Sequence, residues 1–92
     1  MKQIKKSQLD EVIKLSREYW ETGNRALLPA RIDSAEEVER DAGIDWLSLL
    51  DFVDGIIRRK GLLHEADNEI IYEVFRILGW EFTDEVEESE SV

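Results

Sequence analysis

The sequence predicts an all-α fold, namely a compact four-helix domain with one short helix and a disordered acidic C-terminal tail. Apolar residues recur at the i, i+3, i+4 spacing of a helix in four segments. Most of the isolated glycines directly follow these segments, where helices commonly end. No segment shows the apolar and polar alternation of a strand. Ninety-two residues fit one domain, which we assign to residues 1–82, with the tail at 83–92.

The first helix is expected from Gln8 to Thr22. Ser7 is its predicted N-cap, with Asp10 at the capping-box position, and Gly23 follows the helix. A short second helix is expected after Ser34, which opens a Ser-Ala-Glu-Glu capping box. The connection at 24–32 contains the only proline and should pack over the core through its leucines.

The third helix is expected from Trp46 to Lys60, with Asp45 as its N-cap and Gly61 after it. The fourth is expected from Glu65 to Leu78, and residues 80–82 should fold back onto the core. The helical spacing in three of these segments predicts a core that consists of Leu9, Val12, Ile13, Leu49, Leu50, Val53, Ile57, Ile70, Val74 and Ile77.

The C-terminal residues 83–92 contain five acidic side chains and no basic one. Such a composition is typical of disordered segments, because it offers too little apolar surface to offset the entropy of ordering. We therefore expect the chain from Asp84 onward to be mobile and dispensable for folding.

The residues needed for catalysis or cofactor binding are missing from the sequence. There is no cysteine, His64 is the only histidine, and no serine lies in a nucleophile-elbow motif. The glycines stand singly and form no phosphate-binding loop. An EF-hand register around Gly55 places Leu50, Phe52 and Gly61 where oxygen ligands are required. We therefore expect a protein that is not an enzyme and that uses no metal or cofactor.

Charge is the most unusual feature of the composition. The formal net charge is −10, from 12 basic and 22 acidic side chains. Such a surface repels phosphates, so we expect no direct binding of nucleic acid, and it attracts basic protein surfaces. No apolar run approaches the roughly 20 residues of a membrane span, and the basic N-terminus is followed by polar sequence. A cytoplasmic protein with no membrane contact is the simplest expectation.

The stretch Gly43-Ile44-Asp45-Trp46-Leu47-Ser48-Leu49-Leu50-Asp51-Phe52-Val53 resembles the segment around the prosthetic-group serine of acyl carrier proteins. Those carriers are small, acidic and four-helical, so the resemblance implies the same architecture. Trp46 stands where the attachment serine belongs, and Ser48 is two residues out of register. The resemblance therefore implies no carrier function.

Three functions are weighed against each other. In the first, the protein is an inhibitor or adaptor whose acidic surface docks on a basic site of a partner protein. That site could be a nucleic-acid-binding groove, as for DNA-mimic, anti-CRISPR, anti-restriction and nuclease-immunity proteins. The second is a structural subunit or homodimer that buries the apolar faces of the third and fourth helices. The third, a carrier or enzyme, lacks its residues.

The predicted binding surface is the polar side of the fourth helix. Glu65, Glu69 and Glu73 recur every four residues and should form one acidic ridge, with Tyr72 exposed beside it. Asp51 and Asp54, one turn apart on the third helix, are predicted to form a second acidic patch. A surface that serves solubility alone is the competing interpretation of all these acids.

Overall fold

The computed structural model describes residues 2–84, which form four α-helices and one small sheet. The predicted four-helix, all-α class is confirmed. The elements in chain order are β1 (Lys2–Ile4), α1 (Lys6–Thr22), α2 (Leu28–Ala42), α3 (Trp46–Lys60), α4 (Asn68–Ile77) and β2 (Trp80–Phe82). Short 3-10 turns at Arg25–Leu27 and Glu65–Asp67 precede α2 and α4.

The first three helices pack against one another around a common core, and α4 closes it from the side. Each helix has an apolar face that must be removed from water, which is the main force that holds so small a domain together. The core residues that are buried to nearly their full surface are Ile4, Leu9, Val12, Ile13, Ala35, Val38, Leu49, Val53, Ile57, Ile71 and Phe75.

The strands β1 and β2 pair in parallel, with Lys2 opposite Trp80 and Ile4 opposite Phe82. The Thr83 N–H donates to the Ile4 carbonyl at 3.0 Å and extends this pairing by one bond. Neither strand was predicted, because three residues are too few to show an alternating pattern. The fold-back of residues 80–82 was expected, and it brings the two ends of the described chain together.

The helix α1 begins at Lys6, two residues earlier than predicted, and Ser7 is not its N-cap. The Asp84 carboxylate instead accepts hydrogen bonds from the backbone N–H groups of Lys6 and Ser7 and from the Ser7 hydroxyl. A carboxylate satisfies the free N–H groups at a helix start and is favoured by the helix dipole. The cap of α1 is therefore supplied from the other end of the described chain.

This contact corrects the prediction that the chain is mobile from Asp84 onward, while its dispensability for folding stays a prediction. Thr83 and Asp84 both bond to the N-terminal segment, so neither behaves as part of a tail. Residues 85–92, the rest of the predicted tail, lie outside the described residues.

We expect Asp84→Ala to destabilise the domain by about 0.5–2 kcal/mol, the usual cost of losing an N-cap. For a domain of this size, 1 kcal/mol lowers the melting temperature by roughly 4–8 °C. Thermal unfolding followed by circular dichroism measures the effect, with Glu81→Gln on β2 as a control of equal charge change. A variant that melts like the parent protein would contradict the capping role.

The pH dependence of this effect follows from the direction of the pKa shift. Burial, the largest single effect, raises the Asp84 pKa, but the hydrogen bonds from Ser7 and Lys6 together lower it more, so the net shift is below the ordinary 3.8. A lowered folded-state pKa means that the stabilisation is present above the unfolded-state pKa and is lost as pH falls through the folded-state value. The stability difference between Asp84→Ala and the parent should therefore be fully present at neutral pH and shrink in strong acid, as Asp84 becomes protonated.

The helix α2 begins at Leu28, so the predicted start after Ser34 is wrong. Pro29 lies in the first turn, where its missing N–H costs no hydrogen bond. Ser34 lies inside the helix and donates its hydroxyl proton to the Arg31 carbonyl at 2.8 Å instead of capping. The predicted short helix thus has 15 residues, and α4 with 10 residues is the shortest of the four.

The helix α3 matches its predicted bounds. The Asp45 carboxylate accepts from the Ser48 N–H at 3.0 Å as the N-cap. Gly61 ends the helix with φ +66°, a backbone conformation that side chains with a Cβ rarely adopt. The predicted core residues of this helix, Leu49, Leu50, Val53 and Ile57, are all buried.

The helix α4 is rotated relative to the prediction. It buries Ile71, Tyr72 and Phe75, whereas the predicted core residues Ile70 and Ile77 are 43% and 75% exposed and Val74 is half-buried. The two sets of apolar residues both obey helical spacing, so periodicity alone could not choose between them. Because Ile71 and Phe75 are buried instead, an apolar face of α4 that contains Ile70 and Ile77 is left in water.

Candidate functional site

An open groove of about 630 Å³ lies between α1 and the segment formed by the 3-10 turn and α4. Six carboxylate side chains line it, against three cationic ones. The carboxylates are Asp10, Glu11, Glu18, Glu21, Glu65 and Glu69, and the cations are Lys6, Lys14 and Arg17. We call this feature the acidic groove.

Arg17 holds the two walls of the acidic groove together. Its guanidinium donates to the Leu62 carbonyl at 3.0 Å and to the Asn68 side-chain oxygen at 2.6 Å. These bonds join the middle of α1 to Leu62, which precedes the 3-10 turn, and to Asn68, the first residue of α4. Arg17 is thus engaged by neutral oxygens and leaves the carboxylates of the groove without an ion pair from its side chain.

Tyr72 forms part of the floor of the groove and is not the exposed contact residue that was predicted. It is only 5% exposed, its hydroxyl donates to the Asp10 carboxylate, and its ring packs edge-on against Phe82 at 5.5 Å. The Lys6 ammonium lies 4.7 Å from the ring centre. Burial, followed by the bond to Asp10, raises the Tyr72 pKa well above its usual value, so the hydroxyl stays protonated.

The second acidic patch predicted at Asp51 and Asp54 does not exist as a pair. Both Asp54 carboxylate oxygens lie within 2.7 Å of the Arg31 Nη2 atom, and this ion pair is largely buried. The Arg31 guanidinium also stacks on the Tyr19 ring at 4.6 Å. Asp51 alone remains exposed. The second acidic patch is absent because Arg31 reaches α3 from the first half of α2, a part of the helix that was not predicted.

The three acids of the predicted ridge are all exposed, but only two of them line the groove. Glu65 belongs to the 3-10 turn, while Glu69 and Glu73 follow on α4. Glu73 lies outside the groove and pairs with Arg76 at 3.5 Å. The α1 side of the site was not predicted, although Glu11, Glu18 and Glu21 share one helix face by their spacing.

A second cavity lies between α3 and α4 and is almost entirely apolar. It measures about 260 Å³, and its lining consists of Ile44, Ser48, Leu49, Phe52, Phe75, Leu78 and Trp80. The Phe52 and Phe75 rings meet edge-on at 5.5 Å and form its inner wall. We call it the apolar cleft. It opens beside the exposed apolar face of α4.

His64 is exposed, and its backbone N–H donates to the Asp67 carboxylate at 3.2 Å. Within residues 2–84, no three potential metal-ligating side chains come together. None of the helices in that range combines the length and the apolar character needed to cross a membrane. No protein-family model, curated protein or solved structure matches this chain.

Proposed function

We propose that this protein is a non-catalytic inhibitor or adaptor that docks its acidic groove onto a basic site of a partner protein. The observation that carries the proposal is the groove itself, a concave surface in which carboxylates outnumber cations by six to three. A solubilising surface needs charge but no concavity, and it does not need two helices held at a fixed separation.

The electrostatics of the groove favour lysine and arginine side chains as its occupants. Clefts lined by one sign of charge focus the field and steer partners of the opposite sign to the site. The whole-chain charge of −10 adds to this attraction at long range. The same field repels nucleic acid, so the proposed partner is a protein.

The partner's basic site could itself be built to hold a nucleic acid backbone. Glu69 in the acidic groove and Glu73 just outside it lie one turn apart on α4, a rise of about 6 Å along the axis, similar to the spacing of neighbouring phosphates on one strand. Carboxylates at such a spacing could occupy a groove made for phosphates. A protein that acted in this way would be a DNA mimic, of the anti-CRISPR, anti-restriction or nuclease-immunity kind.

The test compares two charge-reversed variants in affinity capture from the source cell, at low and at high salt. Glu65→Lys with Glu69→Lys alters the acidic groove, whereas Asp33→Lys with Glu37→Lys makes the same charge change at exposed positions of α2. We expect the groove variant to lose the partner, or to bind it at least about tenfold more weakly, which is about 1.4 kcal/mol. Its affinity should also depend less on salt.

The control variant on α2 should keep most of the affinity, because it has the same net charge as the groove variant but an unaltered acidic groove. Equal losses in both variants would show that only the total charge matters, and unchanged binding in the groove variant would refute the docking role. Circular dichroism of each variant establishes that it is folded.

The second candidate function is a homodimer or structural subunit, and the exposed apolar face of α4 favours it. Self-association through apolar surface depends little on salt, whereas acidic docking weakens steeply. Sedimentation velocity at low and high salt therefore separates the two candidates. A dimer that persists at both salt concentrations would support the structural role.

A further inference from the structure

We propose that the exposed apolar face of α4, together with the apolar cleft, binds a basic amphipathic helix of the partner protein. The apolar face consists of Ile70, Val74, Ile77 and Leu78. The inference rests on the proposed function, since it names the class of partner segment, but it uses a surface separate from the acidic groove.

The side chains of this face are apolar, and all but the half-buried Val74 are exposed to water. Ile77 is 75% exposed, Leu78 is 48% exposed and Ile70 is 43% exposed. Single exposed apolar residues are ordinary on protein surfaces, but these recur at each turn of one short helix. Ile70, Val74 and Ile77 have the i, i+4, i+7 spacing by which one helix packs along another. The face therefore has the length and pattern of an unfilled helix–helix contact.

The volume of the apolar cleft indicates what fits into it. At about 260 Å³ it lies below the roughly 300–1,000 Å³ of sites that bind small molecules. It is suited instead to one or two large side chains. Deep apolar pockets that receive such side chains are the usual hot spots of protein interfaces. An apolar side chain at the end of a docked helix could enter it between Phe52 and Leu78.

The charges around the face indicate that the occupant is basic. Glu69 and Glu73 follow one border of the face on α4, where Arg76 pairs with Glu73. The Lys2 ammonium bonds to the Leu78 carbonyl beside the cleft, so acids outnumber cations around the face without being alone there. At the other side, the exposed Asp45 carboxylate bonds to Ser48, whose side chain lines the cleft. An apolar centre with a charged rim is the usual anatomy of a protein interface. Lysine or arginine residues that flank the apolar stripe of a helix would complement this rim.

A second copy of this chain is the less suitable occupant. Two copies carry −10 each, and a symmetric contact through this face would bring the same acids of both chains together. Like charges opposed across an interface disfavour the complex. A partner helix that carries both apolar side chains and cations avoids this repulsion between like charges.

The experiment uses the full chain and three synthetic peptides of about 15 residues, a length at which an isolated helix begins to be stable. The first is an amphipathic helix of leucine and lysine, the second replaces its lysines with glutamates, and the third replaces its leucines with serines. Isothermal titration calorimetry measures each affinity. We expect the leucine–lysine peptide to bind at least about tenfold more tightly than either control peptide, a difference of about 1.4 kcal/mol.

Two matched variants then locate the site. Ile77→Ser alters the apolar face, and Leu47→Ser removes an equally apolar, 54% exposed side chain from α3. Because both positions are exposed, both variants should fold. Ile77→Ser should bind the leucine–lysine peptide at least about fivefold more weakly, and Leu47→Ser should bind it unchanged.

Four results would overturn the inference. Equal affinity of the serine–lysine peptide would show that charge alone is recognised, which leaves the proposed function intact. Equal affinity of the leucine–glutamate peptide would show that the occupant need not be basic. Unchanged binding by Ile77→Ser would place the peptide elsewhere, and a dimer that Ile77→Ser dissociates would identify a second copy as the occupant. Failure of the proposed function itself appears separately, as unchanged partner capture by the acidic-groove variant.

Discussion

Val53→Asp is expected to unfold the domain. Val53 is completely buried in the middle of α3, within the core that α1, α2 and α3 share. A carboxylate there would lose its hydration and find no cation, at a cost of several kcal/mol. Domains of this kind are stable by only about 5–15 kcal/mol in total. The far-ultraviolet circular dichroism of the variant should lose helical signal, and the cooperative melting transition should disappear.

The control is Leu47→Asp, which places the same carboxylate on the same helix at an exposed position. We expect it to keep its helicity and to change the free energy of unfolding by no more than about 0.5 kcal/mol, as is usual at surface positions. A cooperative melt of Val53→Asp near the parent's temperature would mean that α3 does not present this side to the core.

Asp54→Ala is expected to have the second largest effect, a loss of about 3–5 kcal/mol in the free energy of unfolding. The variant leaves the Arg31 guanidinium, which is 5% exposed, without its counter-ion. The neighbouring Tyr19 ring and the Ser16 hydroxyl, 3.4 Å away, are weaker partners for a full positive charge. Urea denaturation followed by circular dichroism measures the loss.

The double variant Arg31→Met with Asp54→Leu should recover most of this loss. Replacing a buried ion pair by apolar side chains of similar volume is often neutral or stabilising, because both desolvation costs disappear. Asp51→Ala, three residues away and exposed, should stay within about 0.5 kcal/mol of the parent. If Asp54→Ala were equally mild, the pair would contribute nothing to folding.

The helix α3 shows how far the sequence by itself determines this protein. Its N-cap Asp45, its terminating Gly61 and its apolar stripe act within a few residues of one another. The N-cap, the terminating glycine and the apolar stripe all indicate the same helix, so the helix and its buried side follow from local chemistry. The four-helix class, the exposed Glu65, Glu69 and Glu73, and the exposure of Asp51 follow from the same kind of pattern.

Where local signals conflicted, the sequence could not decide. The Ser34 capping box and Pro29 both mark a helix start, and α2 begins at the proline, in a longer helix that places Arg31 against Asp54. In α4, two sets of apolar residues have helical spacing. The set that contains Phe75 is buried, and in this orientation of the helix Tyr72 packs onto Phe82. The energy that separates such alternatives comes from contacts with other elements.

Only the tertiary structure decided the features that join distant residues. The Asp84 carboxylate caps α1 from 77 residues beyond Ser7, and Arg31 pairs with Asp54 from 23 residues away. The parallel pairing of β1 with β2 and the α1 wall of the acidic groove arise in the same way. Periodicity and capping act over about one helical turn, whereas these partners meet only after the helices have packed.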